Sequence, residues 1–246
     1  MVSENFGKKV FNSLTGGAEI KEVLKKSFFF SLIATLVSIP YFQYLIKAFP
    51  ESIHMAAEDL TGILALQLFL LFFLCFICSF TGFILSKKHN LPGMGTFKGL
   101  KKFLPVLIPV GVSAAVFSYF IFDRYMLYIS PRSYPDGVFY IIFFLLKNAI
   151  AEELILRLGI LTLCIGLFKN KTAGIIITSF IAVLFSFSYL DFIGLTFGLN
   201  YILISGVIVT FIINLILGYV FVKRGLISSA FLRLVLGIKY IIIAFL

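Results

Sequence analysis

The stretch NAIAEELILRLGI, residues 148–160, sets Glu152, Glu153 and Arg157 inside an otherwise apolar run. Each ionised group carried into a bilayer is costly. The fold therefore turns on whether the apolar runs around it are membrane spans. The chain has 246 residues, of which 61% are hydrophobic and only 13% charged, and its mean hydropathy is +1.09. An ordinary soluble domain carries about 25% charged residues, and no soluble core of this size needs so much apolar surface. The class is an all-α, polytopic transmembrane helix bundle.

A window of about 20 residues predicts seven spans, at about 27–47, 61–85, 103–122, 137–168, 173–191, 199–222 and 226–246. The fourth exceeds one straight crossing, so it is expected to tilt, kink near Gly159 or begin at the interface. Gly194 and Gly198 make a small-residue step within 192–200, where an eighth, re-entrant segment would fit. No soluble domain, linker or repeat stands out, so residues 1–246 read as a single integral membrane domain. Residues 1–26 form a lysine-rich lead-in, read either as an amphipathic surface segment or as a frayed polar tail. They show no cleavable signal pattern.

The basic residues set the orientation. Fourteen of 21 fall on one side: in the lead-in, in the loop KKHNLPGMGTFKGLKK (87–102), at Lys169 and Lys171, and at Lys223 and Arg224. The other side carries Glu51, Glu58, Asp59, Asp123, Asp136 and Asp191, with Lys47, Arg124 and Arg132 near them. The expected setting is the plasma membrane of a prokaryote with the N-terminus cytoplasmic. The net charge of +10 is the positive-inside pattern plus attraction to anionic lipid, so the lipid bilayer is the expected partner and nucleic acid is not. Cys75, Cys78 and Cys164 lie in spans and read as packing residues. His54 and His89 lie in loops.

Lys147, Glu152, Glu153, Arg157, Arg233 and Lys239 remain inside the predicted spans. Glu153 and Arg157 are four apart, in the favourable order for a helical ion pair. Glu152 is turned by about 100° on an α-helix and aims at another helix. Pairing Glu152 with Arg233 would balance the two glutamates against the two arginines, leaving Lys147 and Lys239 to snorkel or meet carbonyls. These charges fit either a catalytic carboxylate beside a fixed pair or a structural polar network.

The sequence EELILR (152–157) resembles the EExxxR motif of the CAAX-protease and bacteriocin-processing (Abi) family of intramembrane glutamate peptidases. AVLFSFSYL (182–190) resembles that family's second motif helix, and GYVFVKRGLISSAFLRLVLG (218–237) its terminal one. The similarity runs over about 137–240, the expected family-like core. It implies a site of Glu152, Glu153, Arg157, Tyr189 and Arg233. Tyr189 and Arg233 stand where active members carry histidines, and Ile193 and Gly237 where asparagines are expected. In the family the glutamate activates water while histidine and asparagine stabilise the oxyanion. Counted from the basic side, Glu152 and Tyr189 both lie roughly 24 Å deep and Arg233 roughly 10–15 Å, so the three could line one chamber. No cofactor is implied, and two glutamates and a tyrosine without imidazole make a poor metal site.

Three functions are consistent with this reading. One is a catalytically impaired relative whose polar chamber takes a hydrophobic or lipidated peptide or a partner membrane protein. The second is a divergent peptidase acting through Glu152. The third is a small transporter or channel, for which the paired broken helices of transporters are not evident. The orientation is directly testable. Lys98→Cys is expected to label only from the cytoplasmic side and Glu58→Cys only from outside. Labelling of position 98 from outside with 58 protected would refute it.

Overall fold

The computed structural model describes residues 19–48, 60–129, 134–192 and 201–244, without the side chains of 60, 187–192, 201–203 and 244. Most of the lead-in, the 193–200 segment and the Tyr189 side chain lie outside that description. Seven helical rods follow in chain order. They are α1 (Ile20–Ala48), α2 (Leu60–Lys88), a third rod, a fourth rod, α7 (Lys171–Phe192), α8 (Tyr201–Arg224) and α9 (Leu226–Ala244). The third runs from α3 (Phe97–Ser118) through the π-helical π1 (Tyr119–Asp123) into α4 (Arg124–Ile129). The fourth runs from α5 (Val138–Lys147) through π2 (Asn148–Glu152) and π3 (Leu154–Leu161) into α6 (Thr162–Phe168). Among the described residues, five stretches are long and apolar enough to cross a membrane, and Lys171–Ser186 is a shorter apolar helix. The chain is an integral, all-α membrane bundle. The surplus length of the fourth rod is taken up by π winding, with more residues per turn.

The bundle is apolar outside, and its largely apolar interior also buries serines, threonines and charged side chains. On α2, Leu66, Phe69, Leu70, Phe73 and Ile77 are exposed, while Cys75, Ser79 and Ser86 are buried. On α1 the buried stripe is Ser27, Ser31, Ala34 and Ser38. Two of its hydroxyls donate to carbonyls one turn back, Ser31 to Ser27 at 2.7 Å and Ser38 to Ala34 at 2.6 Å. Small residues with internally satisfied hydroxyls allow close helix contact in lipid. The two stripes pack α1 on α2.

Glycines bring α2 and the fourth rod to backbone range and make room for side chains at the contacts of α9. A Cβ on Gly82 would lie 2.0 Å from the Leu158 carbonyl oxygen, and one on Gly159 would lie 2.6 Å from the Cys78 Cβ. Cys78 is thus a packing residue beside the motif. Gly111 of α3 faces Val235 of α9, where a Cβ would meet it at 2.6 Å. At Gly237, the position expected to hold an asparagine, a Cβ would lie 2.2 Å from Leu145 Cδ2. The glycine leaves room there for the tip of the Leu145 side chain of α5.

The basic end is stitched shut. The Leu226 and Ile227 N–H groups donate to the Gly93 and Met94 carbonyls at 2.9 and 3.0 Å. Gly225 turns with φ +89°, and a Cβ there would lie 2.4 Å from the Gly95 nitrogen. Gly225→Ala is expected to lower stability by at least about 1–2 kcal/mol, the cost of a left-handed conformation alone. Gly62→Ala, which meets nothing within 4 Å, is expected to be neutral or slightly stabilising. Thermal unfolding of both variants in one detergent checks the contrast.

Candidate intramembrane site

The site is built on a spacing of five. In π2, backbone bonds run from i to i+5, which stacks Lys147 and Glu152 on one face. Lys147 Nζ donates to Glu152 Oε1 at 2.8 Å and to Asn148 Oδ1 at 3.1 Å. From α9, Arg233 Nη2 donates to Glu152 Oε2. Both oxygens of Glu152 are thus engaged by cations from two helices. Lys147 also lies 5.0 Å from the centre of the Tyr41 ring, within cation–π range. The expectation that Lys147 snorkels or meets carbonyls is therefore corrected: the π winding aims it at the carboxylate.

The same winding governs Glu153 and Arg157. Four apart, they would stack on an α-helix, but π3 shifts the register. Arg157 Nε stays 3.6 Å from Glu153 Oε2, with both side chains fully buried. This is a Coulombic contact beyond hydrogen-bond length. Neither oxygen of Glu153, nor Nε or Nη1 of Arg157, has a hydrogen-bond partner. Arg157 Nη2 instead donates to Asn214 Oδ1 on α8, whose own amide donates to the Thr210 carbonyl at 2.8 Å.

A second charged cluster uses π1. Ser118 Oγ donates to Asp123 Oδ2 at 2.7 Å, again five residues apart. Lys239 Nζ from α9 donates to Asp123 Oδ2 and to Ser118 Oγ, the latter at 2.5 Å. The Tyr134 hydroxyl donates to Asp123 Oδ1 at 3.2 Å. Asp123, expected in a loop, is 2% exposed and closes this cluster. Lys239, expected to snorkel, is its counter-ion. The expected four-charge balance becomes a seven-charge system.

Both clusters line one cavity of about 560 Å³, walled by Phe42, Leu71, Phe144, Ile213 and other apolar side chains. Of the sequence-predicted site residues, Glu152 and Arg233 meet at this cavity. Glu153 and Arg157 pack beside it, outside its lining. The Tyr189 side chain is outside the described residues. Sequence reasoning missed Asp123, Ser118, Tyr134 and Asn214. The signal available for two of them was the five-residue step Ser118–Asp123, parallel to Lys147–Glu152.

Residues 134–236 match the family model described as type II CAAX prenyl endopeptidase Rce1-like. No curated protein and no solved structure matches. The matched stretch contains π2, π3 and Arg233. It excludes Ser118, Asp123 and Lys239.

The clamp on Glu152 predicts an asymmetric mutant cycle. Arg233→Met leaves Glu152 with Lys147, whereas Glu152→Gln strands two cations. Glu152→Gln is therefore expected to be the more destabilising, and the double variant to cost less than the two singles together by about 1–3 kcal/mol, as contacting residues do. Thermal unfolding in detergent measures this. Simple additivity would exclude the pair.

Proposed function

We propose that this chain, whose residues 134–236 match the type II CAAX prenyl endopeptidase Rce1-like family model, is a catalytically impaired relative that uses its polar chamber to hold a hydrophobic or lipidated peptide or a segment of a partner membrane protein. It would act in the plasma membrane of a prokaryote, with the N-terminus cytoplasmic, where the basic loops belong. The observation that carries the proposal is the double clamp on Glu152. A general base must draw a proton from water, and cations held against a carboxylate stabilise its anion and weaken that pull. Both carboxylate oxygens of Glu152 accept hydrogen bonds from Lys147 and Arg233.

The sequence supports the same reading. Arg233 stands where the resemblance puts a histidine, and a guanidinium stays charged and cannot relay protons. Its planar fork is suited to fixing a carboxylate. The only histidines, His54 and His89, lie outside the predicted spans. A polar chamber whose carboxylate is held by two cations suits binding better than turnover.

The test is direct. Purified protein in liposomes is incubated with a prenylated CAAX peptide, and the released tripeptide is followed by mass spectrometry. The expected release does not exceed that of Glu152→Ala protein. Turnover that Glu152→Ala abolishes would establish a divergent peptidase and overturn the proposal.

A further inference from the structure

The lining of the cavity does not balance its charges. Among the described residues it presents Lys147, Arg233 and Lys239 against Asp123 and Glu152. Glu153 and Arg157 cancel each other and lie outside the lining. One positive charge is left over in a wall that is otherwise largely apolar. An excess charge within a bilayer is costly even where each cation touches a carboxylate. A guest carrying one negative charge would remove that cost.

The shape narrows the guest further. The volume of about 560 Å³ falls in the range of small-molecule sites, about 300–1,000 Å³. Leu74 and Phe185 line the cavity and are also 47% and 58% exposed on the apolar outer face of the bundle. The cavity therefore reaches the surface where lipid chains lie. Arg233 and Lys239 are six residues apart on α9, roughly 9 Å along its axis. An anionic head fits between them, with an apolar tail running toward Leu74 and Phe185.

We infer that the cavity binds an amphipathic monoanion, a carboxylate or phosphodiester head on a hydrocarbon tail, drawn from the bilayer. The inference rests on the cavity and its charge, not on the loss of catalysis, so either reading can fail alone. The cluster that supplies Lys239 lies outside the family-matched stretch, apart from Tyr134.

The test uses delipidated full-length protein in neutral detergent. Palmitate, phosphatidylglycerol and phosphatidylcholine are titrated in turn and followed by native mass spectrometry. At least one monoanion is expected to bind at least tenfold tighter than phosphatidylcholine, and which one does so identifies the head group. The two partners of one ion pair should then act in opposite directions. Lys239→Gln neutralises the lining and is expected to weaken binding at least tenfold. Asp123→Asn raises its charge and is expected to strengthen binding. A merely structural role would move both the same way. Lys147→Gln and Glu152→Gln form a second such pair if either variant fails to fold. Equal binding of phosphatidylcholine, no binding of either monoanion, or matched directions within a pair would overturn the inference.

Discussion

The structure depends on one constraint: a charge brought into lipid must find its partner inside the protein. This chain meets it with π winding. Regular α-helices stack residues three and four apart, but the decisive contacts here, Lys147–Glu152 and Ser118–Asp123, are five apart. Each occurs where a helix turns π. Each is completed by a cation from α9, Arg233 or Lys239. The same winding that makes these contacts loosens Glu153–Arg157, which an α-helix would have stacked. Such π turns inside α-helices are frequent at functional sites, and here they shape both charged walls of one cavity.

The rest of the bundle holds that helix in register. Gly82 and Gly159 let α2 and π3 meet at backbone range, and Gly237 leaves room for the Leu145 side chain between α5 and α9. A larger residue at Gly82 would press on the backbone of π3, next to the turn that carries Glu152. The loop from 89 to 96 and the turn at Gly225 close the basic end by main-chain hydrogen bonds. The charged cavity takes Gly237, Lys239 and Tyr240 from the second half of α9 and Arg233 from its first half. The apolar exterior, with exposed leucine and phenylalanine on α2, belongs to the lipid.

Much of this was legible in the sequence because hydrophobic length and charge placement are local signals. The seven apolar stretches correspond to seven helical rods among the described residues, and of the ionisable residues left inside them Lys147, Glu152, Arg233 and Lys239 line the cavity. What was not legible is helical register. An α-helical count turns Glu152 away from its own helix and assigns Lys147 to the solvent, whereas one additional residue per turn joins them. Asp123 was read as a loop residue because it adjoins Arg124 at the end of a hydrophobic run. Its true partner, Lys239, is 116 residues away, and no local pattern announces such a pair. Arg157 finding Asn214 on α8 is non-local in the same way.

The central claim is that the Glu152 carboxylate is held by two cations rather than left free to activate water. Carbon–nitrogen dipolar recoupling by solid-state NMR in bilayers measures this directly, with carbon-labelled glutamate and nitrogen-labelled lysine and arginine side chains. The account predicts strong dephasing of the Glu152 carboxylate carbon by both a lysine and an arginine nitrogen, lost for lysine in Lys147→Gln and for arginine in Arg233→Met. A Glu152 carboxylate that feels neither nitrogen would contradict it.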